Sequence, residues 1–93
     1  MPDYKPREVR QCLAGKLAAQ ETESRRHIFF NFYDSNGQFL VQTHISHGDA
    51  PIHIGLISQM AKQMGVRTAD FRGVIECSVS RDDFMQRIAR RPS

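Results

Sequence analysis

Between Arg26 and Gly48 apolar residues fall on alternate positions: Ile28, Phe30 and Phe32 on one side of Asn36-Gly37, Val41 and Ile45 on the other. A period of two predicts strands, and Asn-Gly between them predicts a hairpin, because both residues tolerate the positive φ of a type I′ turn. A two-residue loop at Asn36-Gly37 fixes the register. Phe32 then faces Val41, Phe30 faces Thr43 and Ile28 faces Ile45, which makes one apolar face. The other face is mixed: Tyr33 opposite Leu40, Asn31 opposite Gln42, Phe29 opposite His44, and His27 opposite Ser46. An antiparallel sheet that covers one side only leaves such a face open to solvent or to a ligand.

Elsewhere the period is helical. Pro6 suits a first helical turn, and Val9, Cys12, Leu13 and Leu17 follow at helix spacing, with Gly15 as an expected helix end. Lys16 to Thr22 admits two readings, a helix favoured by its alanines or a short edge strand, and Glu21 to Ser24 reads as a polar connection. From about His53 to Met64, Leu56, Ile57, Met60, Ala61 and Met64 share one helical side, closed by Gly65. Phe71, Val74 and Ile75 suggest a short helix. Ser80-Arg81-Asp82-Asp83 resembles a capping box opening a last helix with Phe84, Met85 and Ile88. These elements predict an α+β domain, with helices packed on one face of a small antiparallel sheet.

At 93 residues the chain is one small domain with room for a single core. No apolar run approaches the roughly 20 residues of a membrane span, and the first residues lack the apolar core of a secretion signal. The reading is therefore cytoplasmic, with no membrane partner. Cys12 and Cys77 fit no metal or redox spacing and read as two buried thiols. Met60 and Met64 read as core.

The net charge of +3 is mild, but its distribution is uneven. Arginines gather at Arg87, Arg90 and Arg91, read as solvated surface, and at Arg25 and Arg26, immediately before His27. Imidazole titrates near neutrality, so it can take or give a proton at cellular pH. An RNA-cleaving site needs a base for the ribose 2′-hydroxyl and cations for the charge that develops on phosphorus. His27 with Arg25 and Arg26 supplies both within three positions, and Phe29 and Tyr33 share the predicted face as stacking platforms for bases. His44 lies on the same face, and Lys62 on the outer side of its helix is a further candidate for phosphate contact. A metal site from His44, His47 and His53 is a competing reading, but no carboxylate or cysteine completes a known spacing. The expectation is no metal and no small-molecule cofactor.

Three segments together resemble the HicA (YcfA-like) family of bacterial mRNA interferase toxins. They are Arg26-His27-x-x-Phe30, Thr43-x-Ile45-Ser46-His47-Gly48, and the helix Gly55-Leu56-Ile57-Ser58-Gln59-Met60-Ala61-Lys62-Gln63-Met64. The resemblance runs from about Val9 to Met64, more faintly to Phe84. It implies a double-stranded-RNA-binding-domain-like fold of order α-β-β-β-α, with Lys16 to Thr22 as first strand and residues 66–93 as a C-terminal helical extension. It also implies metal-independent endoribonuclease activity on mRNA, within a type II toxin–antitoxin system. His27 would be the single catalytic histidine, and a HicB-like antitoxin would cover it. Where the family has Gly-Ser-His or a His-His pair, this chain has Ser24-Arg25-Arg26-His27, so any role of a paired histidine falls to Arg26. Two further readings stand beside this one: a non-catalytic RNA-binding module on the same fold, and a protein-interaction domain whose hairpin edge pairs with a partner strand.

Overall fold

The computed structural model describes residues 3–48 and 50–89. The chain opens with helix α1 (Pro6–Arg10), which continues without a break as a π-helical segment (Gln11–Lys16). Three strands follow, β1 (Gln20–Glu23), β2 (His27–Tyr33) and β3 (Phe39–Ser46), then helices α2 (Ile54–Met64), α3 (Thr68–Ile75) and α4 (Arg81–Ala89). The strands form one antiparallel sheet in the order β1-β2-β3. Among the described residues no helix is long and apolar enough to cross a membrane.

Period-two burial on β2 and β3 places the core. Ile28, Phe30, Phe32, Val41, Thr43 and Ile45 are all buried, and the apolar ones join a single cluster with Val9 and Leu13 of the first helix, Ile57, Met60 and Met64 of α2, Phe71 and Val74 of α3, and Phe84 and Ile88 of α4. The helices therefore cover one face of the sheet. Phe30, Phe32, Phe71 and Phe84 are at most 1% exposed, and each such ring contributes roughly 1.5–3 kcal/mol relative to its exposed state. Thr43 is the polar member of this face, and its hydroxyl donates to Gln63 Oε1 at 2.7 Å, so no buried donor is left unpaired there.

The hairpin register from His27 to Phe32 is the expected one, but its tip differs. The loop holds three residues instead of two. Asp34 N–H donates to Gln38 O at 2.9 Å and Gly37 N–H donates to Asp34 O at 3.0 Å, while Asp34 Oδ1 accepts from the N–H groups of Asn36 and Gln38, both at 2.9 Å. Only Gly37 takes positive φ, at 80°, so this is a type I turn followed by a left-handed glycine. The Asp34 carboxylate favours this turn, because one oxygen accepts from two loop amides. The extra loop residue shifts the pairing, so Tyr33 faces Phe39, not Leu40; an irregularity between Phe32 and Tyr33 then restores Phe32 opposite Val41.

Two N-terminal expectations need correction. The helix does not stop at Gly15. It runs through Lys16 and ends where Ala18 adopts φ 58°, with Ala19 N–H donating to Leu13 O at 2.9 Å. Glu21 to Ser24 is not a simple connection either, since Glu21, Thr22 and Glu23 are strand residues paired with Phe30, Phe29 and Ile28. Of Lys16 to Thr22 only Lys16 is helical: Ala18 and Ala19 lie beyond the helix, and the first strand begins at Gln20, not Lys16, because pairing with β2 overrides local propensity.

The C-terminal helices are tied to the start of the chain. Tyr4 is buried and pairs with Ile52 as a β-bridge. Its hydroxyl donates to Glu76 Oε2 and accepts from Arg72 Nε at 3.2 Å. Lys16 Nζ donates to Val74 O at 3.1 Å and Val79 O at 3.3 Å, a cation at a helix C-terminus, where the macrodipole favours it. A Cβ on Gly73 would stand 2.4 Å from Val79 Cγ2, so only glycine lets the turn after α3 fold back this closely. α2 ends at Gly65 as expected, and Ser80 Oγ accepts from Asp83 N–H at 3.2 Å to open α4. Arg87 is not free surface charge, since it lies 3.1 Å from the buried Asp70 carboxylate; Arg90 and Arg91 lie outside the described residues. Cys12 is buried but Cys77 is exposed, which corrects the reading of two buried thiols. Both line a cavity of about 290 Å³ with Lys16 and Val74.

Three variants check these features. Gly15 is exposed with no atom within 4 Å of an added Cβ, so Gly15→Ala should raise the denaturant midpoint by the equivalent of about 0.5–1 kcal/mol. Three residues on, the reverse exchange Ala18→Gly should also stabilise, by up to about 1 kcal/mol, because glycine adopts the left-handed cap without strain. Burial pushes the Cys12 thiol up to about 11 from its ordinary value of 9.0. The folded state therefore keeps the thiol neutral while the unfolded chain ionises it. Stability from this group is complete below pH 9 and is lost as pH rises toward 11. The alkaline slope of unfolding free energy between these values should be shallower in Cys12→Ala than in wild type.

Candidate nucleic-acid interface

The sheet face away from the helices carries Gln20 and Thr22 from β1, His27, Phe29, Asn31 and Tyr33 from β2, and Gln42, His44 and Ser46 from β3. None of these side chains is a carboxylate. Glu21 and Glu23, one position out of phase, are ion-paired with Arg10 of α1.

At one end of this face three rings meet. His27 and His44 have centroids 4.8 Å apart at 82°, edge to face. Phe29 lies 5.9 Å from His27 and 5.5 Å from His44. All three are half-buried. No ring nitrogen of His27 or His44 has a hydrogen-bond partner among the described residues, whereas His47 Nε2–H donates to Ser24 O at 2.9 Å and His53 Nδ1 lies 3.2 Å from Asp3 Oδ1. The four imidazoles thus divide into two that hold structure and two that do not. His44, His47 and His53 go to three different surroundings, and no group of three His, Cys, Asp or Glu side chains gathers among the described residues.

Beside the rings stands the β1–β2 loop. Ser24 N–H donates to His27 O at 2.9 Å and Ser24 Oγ accepts from His27 N–H at 3.2 Å, leaving Arg25 and Arg26 as a two-residue tip. His47 braces the same loop through Ser24 O, and its own backbone N–H donates to Arg26 O. Both arginines are exposed. Arg10, Arg67, Arg72 and Arg87 each pair with a carboxylate, while Arg25 and Arg26 pair with none among the described residues. Unpaired guanidinium groups next to aromatic rings make an anion-binding corner with stacking surfaces.

The remaining candidates lie elsewhere. Tyr33 is on the same face but six residues along β2 from His27, about 20 Å away at the usual strand rise, and its ring packs against exposed Phe39 at 5.9 Å. Lys62 is on the surface of α2, the helix that covers the opposite face, so the sheet separates it from His27. Next to the rings a polar row extends the expected pair of Asn31 and Gln42 onto β1. Asn31 is only 6% exposed. It donates to Gln20 O at 3.1 Å and Thr22 Oγ1 at 3.3 Å, and accepts from Gln42 Nε2 at 2.7 Å. Asn31 and Gln42 were in phase with His27 and His44, which was the available signal; β1, which supplies the other partners, was not.

Comparison with family models, with curated proteins and with solved structures finds no match to this chain.

The Asn31 row joins all three strands, so Asn31→Ala should cost roughly 1–3 kcal/mol, the range for stripping buried hydrogen-bond partners. Denaturant unfolding measures the loss, and amide exchange should quicken first in β1. A cost near zero would mean that the row does not hold the edge strand.

Proposed function

We propose that this chain is a HicA-like RNA-cleaving protein on a double-stranded-RNA-binding-domain-like fold, acting in the cytoplasm on single-stranded mRNA without a metal. The observation that carries this reading is the corner itself: His27 against Phe29 and His44 and next to Arg25 and Arg26, with no partner among the described residues for the His27 ring nitrogens or either guanidinium. In this reading His27 is the general acid or base and the two arginines hold phosphate. Phe29 and His44 take a base by stacking, and Tyr33 with Phe39 offers a second stacking surface further along the strand. Lys62, behind the sheet, has no part in this corner. The single-sided sheet supports the fold assignment, since a three-stranded antiparallel sheet backed by an N-terminal helix and α2 has the order α-β-β-β-α; α3 and α4 form the C-terminal extension. A HicB-like antitoxin is the implied protein partner, with this exposed face as its target.

The test is incubation of wild type and His27→Ala with single-stranded RNA in excess chelator. Cleavage by wild type, abolished in the variant while binding persists, is the expected result. Binding with no cleavage by wild type would reduce the protein to an RNA-binding module, and absence of binding even at low salt would leave a protein-interaction domain. Replacing Arg25 and Arg26 by alanine should flatten the dependence of log affinity on log salt by about 1.4, at ~0.7 for each neutralised phosphate of a single strand.

A further inference from the structure

Cleaving RNA by its own 2′-oxygen takes two proton transfers. The 2′-hydroxyl loses a proton as its oxygen bonds to phosphorus, and the 5′-oxygen gains one as its bond to phosphorus breaks. One imidazole cannot be unprotonated for the first and protonated for the second in the same concerted step. This chain sets a second imidazole beside the first. Register places His44 opposite Phe29, one step diagonally from His27, and the two histidine rings approach to 4.8 Å, edge to face. Phe29 packs against both and holds their relative orientation. Neither has a ring-nitrogen partner among the described residues, unlike His47 and His53.

We propose that His44 is a second catalytic residue, which forms with His27 an acid–base pair for transphosphorylation. The proposal rests on the RNA-cleaving reading above and extends it from one histidine to two. One imidazole takes the 2′-hydroxyl proton while the O2′–P bond forms. The other, as imidazolium, gives its proton to the departing 5′-oxygen while the P–O5′ bond breaks. The products are a 2′,3′-cyclic phosphate and a 5′-hydroxyl; no water is consumed, and the two imidazoles end with their protonation states exchanged. The groups around the pair fit this exchange. Thr22 and Ser46, its neighbours on β1 and β3, are neutral; Arg25 and Arg26 are the charged groups on the adjoining loop; Glu21 and Glu23 of β1 are turned to Arg10. Among the described residues no carboxylate stands on this face beside either ring.

The experiment compares wild type, His27→Gln, His44→Gln and, as a control, His53→Gln on a single-stranded RNA in chelator across pH. A non-cleavable 2′-deoxy oligonucleotide measures binding. His44→Gln should lose cleavage at saturating RNA by roughly 100-fold or more, against only the roughly tenfold weaker binding of the deoxy oligonucleotide that loss of one stacked ring brings, and His53→Gln should cleave normally. Wild type should give a bell-shaped rate profile and cyclic-phosphate ends, and His44→Gln should keep only one limb of the bell. A substrate with sulfur at the 5′-bridging position, whose leaving group needs no proton, should restore the rate of one histidine variant and not the other, which identifies the acid. Cleavage by His44→Gln close to the wild-type rate with the bell intact, or sulfur rescue of neither variant or of both, overturns the pair while leaving the endonuclease reading standing. Absence of cleavage by wild type overturns both.

Discussion

The sheet buries one face and not the other, and the rest of the molecule follows from that asymmetry. Phe30 and Phe32 are drawn out of water against α2, α3 and the first helix, while Phe29, one residue away, stays half-exposed among histidines. Because side chains alternate strictly along a strand, a slip of one residue would exchange these faces, burying His27 and His44 and exposing the aromatic core positions. The cost of that exchange pins the register, and the register brings His27, Phe29 and His44 together. Core and candidate site are the two sides of one constraint.

The hairpin tip shows how firmly that constraint acts. Asp34 gathers the loop amides into a three-residue turn, which taken alone would carry β3 out of phase. The irregularity between Phe32 and Tyr33 absorbs the difference before the core rows begin. Local turn chemistry and core burial ask for different registers, and burial prevails where the aromatic side chains are largest. The misfit is confined to Tyr33, Phe39 and Leu40, where exposure makes it cheap.

Charge is divided in the same way. In the helical layer three arginines hold structure: Arg87 pairs with Asp70, Arg72 with Tyr4 and Glu76, and Arg10 with the edge strand. At the β1–β2 loop Arg25 and Arg26 have no carboxylate among the described residues, and His47 steadies the loop through its backbone, leaving the guanidinium groups free. A mild overall charge therefore conceals a concentrated one at that part of the surface.

Much of this was legible in the residues. Alternation marked the hairpin, its apolar face and its register from His27 to Phe32, and helical spacing with Gly65 and Ser80 marked α2, α3 and α4. The strand β1 was legible only as one of two readings of Lys16 to Thr22, because Gln20-Glu21-Thr22-Glu23 is polar throughout and becomes a strand only by pairing with β2. The Asn31 row that β1 completes was legible only in its pair of Asn31 and Gln42, and the exposure of Cys77 was not legible, because it depends on how the turn after α3 folds back. The helix end at Ala18 escaped notice since alanine bears no mark of a left-handed cap. By itself, then, the sequence determined which residues lie on each face of the hairpin, for alternation is a local property of the chain. Only the tertiary structure decided that the helices take the aromatic face and that Lys62 stands behind the sheet. It likewise decided which two of the four histidines are held by hydrogen bonds, because these depend on contacts between segments far apart in sequence.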